Sequence, residues 1–322
     1  MADGTKYRAA QPPEGRLLCL RMEPSNGDRS CRAAGVRDRA SLGPAVFAVA
    51  LAGAAGLGCE DRGKASAQKA TSDIAFLSAL VDSDVAEVER GMPDGAKRLA
   101  PLFAKSDPHD DVPAVRAALI KTRRDVPDLN IAKSTFFALA DAKGIAIRNN
   151  LEQDVMAGQS LLAPFPELAK AQGGAYVTTT GAFPGTSTPA GPDRDWIASA
   201  PVKADDGRVV GLFVTGWTYR RFAHHLQESL KHDLAERLRK EHDTGKLPIV
   251  YVAVFDRTGV YSAPQTPPVN EKALADAGLV DKTASGVAQA AITITDRDFG
   301  YAAARAPKLG PEIGIVVLRS EL

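Results

Sequence analysis

His225, Glu228, His232 and Glu236 follow one another at spacings of three, four and four, and so fall on one face of a helix. Imidazole nitrogen and carboxylate oxygen placed this way can hold zinc or a similar divalent ion. Their neighbours are Gln, Lys, Asp and Arg, so the same face is more simply a solvated one laced with charge pairs. A second set of residues suits a ligand. Arg148 ends one strand, Arg194 and Trp196 flank the entry to another, and Tyr176, Thr178 and Thr180 alternate on a third. An Arg would anchor a carboxylate, aromatic walls would cover apolar surface, and hydroxyls would orient the bound molecule. Arg148, Tyr176, Thr178, Arg194 and Trp196 are therefore the expected ligand-binding residues. Trp196 and Trp217 read equally as core aromatics, and Arg194 as a surface residue.

Catalysis finds no support. Ser66 and Lys69 have S-x-x-K spacing, but in a polar stretch instead of at a helix start. No nucleophile elbow, Gly-rich phosphate loop or paired His-Glu motif appears. Cys19, Cys31 and Cys59 all lie near the start, so from Glu60 onward there is neither a disulfide framework nor a Cys-based metal site. The net charge of +1 divides into +3 over residues 1–58 and −2 over the rest, which is no electrostatic footprint for nucleic acid. These observations predict a binding protein without catalytic residues or cofactor.

The elements that position these residues come in two similar sets. "FFALADAKGIAIRNN" and "YVAVFDRTGVYSAP" are both strand–turn–strand, with Asp141 and Gly144 matching Asp256 and Gly259. Each set closes on a second hairpin, where Gly207-x-x-x-Gly211 matches Gly310-x-x-x-Gly314. The matching turns are 63 residues apart in the first set and 51 in the second. Between them runs a long charged helix around 219–242. Antiparallel hairpins with helical insertions predict an α+β fold and not a parallel β-α-β sheet. Ahead of the first hairpin, apolar residues at 74, 77, 80, 81, 85 and 88 predict a helix capped near Ser72 or Asp73 and ended near Gly91. A second helix should enter through Pro113 and end before Pro127.

At these residues the body resembles the Cache family of extracytoplasmic sensor domains, which have PAS-like folds. "FALADAKGIAIRNN" resembles the family's opening strand–turn–strand, "DVMAGQSLLAPFPELAKAQGG" its pocket cover, and "APVKADDGRVVGLFVTG" its closing hairpin. The resemblance covers roughly 73–322. It implies an N-terminal helix, two units with sheets of about five or six antiparallel strands, and a small-ligand pocket over one face. Amino-acid-binding members carry an Asp where Gly216 stands here, which argues against an amino acid ligand. Most members continue into a transmembrane helix and an output module. The sequence stops at Leu322, which implies output through a partner protein of the envelope.

"SLGPAVFAVALAGAAGLGCED" follows an Arg-rich stretch and has the layout of a secretory signal. Gly56-Leu57-Gly58-Cys59 resembles a bacterial lipobox, although Gly56 replaces the favoured Leu. The resemblance implies lipid on Cys59 and a periplasmic location, with Glu60 favouring the outer membrane over the inner. An uncleaved membrane anchor or a buried helix are the other readings of this stretch. Met22 is a better initiator than Met1, leaving 1–21 as upstream sequence. The expected organisation is a leader at 1–58, a flexible tether at 59–72, and a helical section plus first unit at 73–230. The end of the linker helix plus the second, smaller unit would occupy 231–322. The expected function is an anchored small-molecule-binding sensor module without its own output domain. The alternative is a structural lipoprotein that docks another envelope protein.

Overall fold

The computed structural model describes residues 57–183, 191–242 and 245–321, with side chains from residue 62 onward. The leader and the Cys59 side chain lie outside the described residues.

Helix α1, Leu57–Lys105, is a single rod of 49 residues, about 74 Å at 1.5 Å per residue. It replaces both the flexible tether and the predicted stop at Gly91. Ile74, Leu77, Val81, Val85, Val88, Met92, Ala96 and Leu99 are all buried, at the alternating three and four spacing of one helix face. Each large aliphatic side chain buried there contributes about 1.5–3 kcal/mol. Several of them outweigh the cost of about 3 kcal/mol for Pro93 inside the helix. Gly91 and Gly95 do not end the helix; a Cβ at either would strike Leu129 or Phe213, so their bareness lets other elements approach. The polar stretch of the supposed tether is also held, since Ser66, Ala67 and Ala70 are buried.

Helix α2, Val112–Asp125, begins where Asp111 accepts a hydrogen bond from the Ala114 N–H at 3.0 Å, and ends ahead of Pro127. The short α3, Pro127–Ile131, follows. The first sheet contains β1 (Phe136–Asp141), β2 (Ala146–Asn149), β3 (Val177–Gly181), β4 (Asp195–Lys203) and β5 (Val209–Thr218). A 3-10 turn at Pro166–Leu168 and α4, Ala169–Gln172, lie between β2 and β3. Helix α5, Tyr219–Lys240, leads to the second sheet: β6 (Ile249–Asp256), β7 (Gly259–Ser262), β8 (Ala288–Ile294), β9 (Arg297–Arg305) and β10 (Gly314–Ser320). Helices α6, Pro268–Asp276, and α7, Leu279–Lys282, separate β7 from β8.

The sheet orders are β2-β1-β5-β4-β3 and β7-β6-β10-β9-β8, the same antiparallel topology twice. The repeat extends to the turns. Asp141 Oδ1 accepts from the N–H groups of Lys143 and Ile145, and Asp256 Oδ1 from that of Thr258. Gly144 takes φ +78°, the left-handed conformation that a three-residue hairpin loop requires. With α1 ahead of them, the two sheets and their helices form the expected α+β arrangement.

One face of each sheet is covered by helix. The beginning of α1 lies on β8–β10 and its later turns on β4 and β5. Trp196, Trp217, Phe137 and Phe213 join the α1 side chains in the main core. On the opposite face of the first sheet, Ala138, Ala140, Ile197, Leu212 and Val214 meet Leu161, Phe165 and Phe183 from the β2–β3 and β3–β4 connections. Among the described residues, no helix is long and apolar enough to cross a membrane.

Candidate functional site

Strand pairing decides which side chains can share a site. In β1 and β2, Ala138 pairs with Asn149 and Leu139 with Arg148. Ala138 belongs to the cluster opposite the helix and Leu139 to the helix-backed core. In β4, Asp195 and Ile197 have the parity opposite to Trp196 and Ala198. A cavity of about 140 Å³ opens on the face of Asn149, Asp195 and Ile197. The sheet contributes these three with Phe136, Val214 and Thr218; Leu151, Val155, Met156, Leu161, Phe165 and Phe183 cover it. Phe165 and Phe183 stack with centroids 6.5 Å apart and planes at 16°.

The cavity is mostly apolar, and Asn149, Thr135 and Thr218 of its polar lining are locally engaged. Asn149 accepts from the Leu151 N–H at 2.8 Å and donates to Asp154 Oδ1 at 2.8 Å. Thr135 donates to the Gly216 carbonyl at 3.0 Å, and Thr218 caps α5 by accepting from the Arg221 N–H. Asp195 is the one charged residue among the described residues that line the cavity. It is 4% exposed and accepts from the Phe183 N–H at 3.0 Å. Burial, helped by the neighbouring Asp193 charge, pushes its carboxyl up to about 6.

None of the five expected ligand residues lines this cavity. Trp196 is fully buried on the helix side, stacked on Trp217 at 4.3 Å, and its Nε1 donates to the Leu309 carbonyl at 3.1 Å. Arg148 pairs with Asp154 at 3.2 Å and donates to the carbonyls of Leu151 and Glu152, holding the loop at the cavity rim. Tyr176 packs beside the main core with its hydroxyl buried and unpartnered, and burial raises its phenol above the ordinary range. Thr178 and Arg194 do meet, with Thr180, in a cleft of about 750 Å³ between the two sheets' turns. There Arg194 reaches across to Asp256 at 3.1 Å, so its charge is committed to joining the halves. Phe183, Phe165, Asn149 and Asp195 are the cavity-lining residues that sequence reasoning missed. The signal for Asp195 was a carboxylate opening the apolar run "WIASAPV" of a central strand.

The candidate metal residues are paired and separate. His225 lies 3.0 Å from the buried Asp84 of α1, Glu228 accepts from Lys231 at 2.8 Å, and His232 lies 3.4 Å from Glu236. No cluster of three potential ligands occurs among the described residues.

No protein-family model and no curated protein matches the chain. Solved structures similar to it include the ligand-binding domain of the Campylobacter jejuni chemoreceptor Tlp3 in complex with 4-methylisoleucine. That pair is 11% identical over 80% of this chain and 92% of the other, with a TM-score of 0.47. The ligand-binding domain of the Pseudomonas aeruginosa amino acid chemoreceptor PctB with L-Gln is 13% identical over 79% and 90%, at a TM-score of 0.45. The Vibrio cholerae LuxQ periplasmic domain is 8% identical over 78% and 98%, also at 0.45.

Proposed function

We propose that this protein is an exported small-molecule-binding sensor module, tethered to a membrane surface through lipid on Cys59, with its ligand site in the first half. One observation carries the binding part. The first sheet's outer face encloses an apolar cavity of about 140 Å³, whereas Leu274 and Leu279 of α6 and α7 pack on the matching face of the second sheet and leave only a more open, more polar cleft of about 420 Å³ beside the Asp256–Val260 turn. Two halves of the same topology thus differ where a ligand would enter, and the second half serves as support. An apolar pocket with a few convergent polar groups is the usual form of a small-molecule site.

A thermal-shift screen of the protein against organic acids, amines, purines and sugars tests this reading. A ligand selective for the folded state stabilises by about 4 kcal/mol at a thousandfold excess over its dissociation constant. Ile197→Trp, which fills the cavity, should abolish the shift. No shift from any class would turn the reading to a docking protein of the envelope. The tether is tested by comparing labelled-palmitate incorporation in wild type and Cys59→Ser; equal labelling would sink it.

A further inference from the structure

We infer that the free edge of β3 takes up an extended acidic segment of a partner protein as an added strand, inside the cleft of about 750 Å³ between the two halves. This goes beyond the small-molecule reading and concerns a different site from the cavity.

The strand register shows which backbone groups stand unpaired. The Phe137 carbonyl of β1 accepts from the Asn150 N–H on the β2 side, and the Phe136 carbonyl accepts from the Thr215 hydroxyl on the β5 side. Backbone groups point alternately to the two neighbours along a strand. Carried across the paired residues, this alternation turns Asp195 and Ile197 of β4 toward Gly181 and Thr179 of β3. The N–H and C=O groups of Thr178 and Thr180 therefore point outward, and no backbone group among the described residues bonds them.

At the opposite edge the chain closes the sheet itself. The Ala146 N–H of β2 donates to the Gln159 carbonyl at 2.9 Å, and the Ala146 carbonyl accepts from the Gly158 N–H at 2.7 Å. The β3 sequence, VTTTG, also has none of the charges or prolines that blunt an exposed edge.

The cleft suits a single chain. Thr178, Thr179 and Thr180 are consecutive and all line it, so it straddles the strand edge instead of lying on one face. Glu167 and Lys170 wall it on the loop side, and the turn from Pro307 to Ile313 walls it on the side where Leu309 bonds Trp196. The edge of a second sheet would meet these walls. One extended segment matching the five residues of β3 is roughly 17 Å long.

Charge favours an acidic segment. Four cations and three acids line the cleft. Glu167 pairs with Lys170, Asp256 with Arg194 and Glu312 with Arg257. Lys308 is left with Glu89 of α1 at 4.0 Å, both side chains half exposed, a contact of little worth.

The probe is the capped peptide acetyl-Thr-Val-Glu-Val-Thr-amide, titrated calorimetrically into the full chain. It should bind, and replacing its Glu by Lys should weaken binding about threefold or more. N-methylation of its odd or of its even positions removes the donors of one edge only. One set should abolish binding and the other should leave it within about threefold. Thr178→Pro removes an outward N–H without touching the bonds to β4, so the variant should fold and lose the peptide. If it does not fold, the methylation pattern in wild type still decides. In amide exchange the peptide should protect Thr178 and Thr180 and leave Thr179 unchanged. No binding, loss in both methylated sets or in neither, or full binding to folded Thr178→Pro overturns the assignment. Self-association of the chain that Thr178→Pro abolishes would give the edge to a second copy and overturn it as well. Ligand binding in the cavity is read separately through Ile197→Trp, so either reading can fail alone.

Discussion

Asp195 and Trp196 are consecutive residues of β4 that serve opposite faces of the first sheet. Asp195 forms part of the cavity wall, and Trp196 is stacked on Trp217 in the core beneath α1. One peptide unit therefore separates the charged group of the candidate site from the largest aromatic cluster of the core. Whatever displaces Asp195 is felt by Trp196, whose Nε1 bond to the Leu309 carbonyl ties β4 to the second half. The pair also makes Trp196 a natural fluorescent reporter of cavity occupancy.

Asp195 sets a pH dependence. Its carboxyl titrates near 6 in the folded chain against 3.8 ordinarily, so the unfolded chain loses the proton first as pH rises. Stability should fall across that window, by about 3 kcal/mol at 1.36 kcal/mol per pH unit, and stay lower above it. Asp195→Asn, whose amide oxygen can still accept from Phe183, should remove this slope and be more stable than wild type at neutral pH. Denaturant midpoints measured from about pH 4 to about pH 8 check this.

Gly300 should tolerate no side chain. A Cβ there would lie 1.9 Å from the Ala67 nitrogen and 2.4 Å from its Cα, both backbone atoms of α1. Gly300→Ala must push the helix off β9 and should cost about 3 kcal/mol or more. A thermal melt reads the loss directly.

The ion pair of Asp73 and Arg319, 2.7 Å apart and buried, should show strong coupling. Removing either partner leaves a buried charge, at about 3–5 kcal/mol. The double variant Asp73→Leu with Arg319→Met should cost much less than the sum, moderated because Glu321 also holds Arg319 at 2.7 Å. A double-mutant cycle in urea measures the difference.

The rim loop depends on Asp154 more than on Arg148. Asp154 accepts from the backbone N–H groups of Asn149, Met156 and Ala157, and from the Asn149 side chain. Asp154→Ala orphans these donors and should cost about 2–4 kcal/mol. Arg148→Ala should cost less and leave ligand chemistry unchanged. Hydrogen exchange over 149–157 resolves the two effects.

All ten strands were legible because turn residues and apolar runs mark them, as in "DDGRVVGLFVTGW". The duplication was legible because Asp141 and Asp256 cap their turns in the same way. Helix α1 was misjudged at both ends, since Gly91 and Pro93 are local breakers and only tertiary packing on Leu129 and Phe213 overrides them. The cavity was missed by one residue of parity. Alternation along β2 and β4 separates Arg148 from Asn149 and Trp196 from Asp195, but it does not say which side a long helix covers and which side a loop encloses. Large aromatics and Arg drew the reading to the helix side. The cavity belongs to their neighbours.

The first turns of α1 have a consequence for the order in which the molecule can be assembled. Thr71 bonds Gln289 across 218 positions, and Asp73 bonds Arg319 across 246. Synthesis delivers this helical segment more than two hundred residues ahead of its partners, so its inner face waits uncovered while both sheets emerge. Closing such distant contacts is slow, and an uncovered apolar stripe invites association in the interval. The first sheet, whose strands all precede α5, can condense on the later turns of α1 well before then. Refolding should therefore proceed in two phases, the slower one ending with β10 sealed against the beginning of the same helix that nucleated the faster.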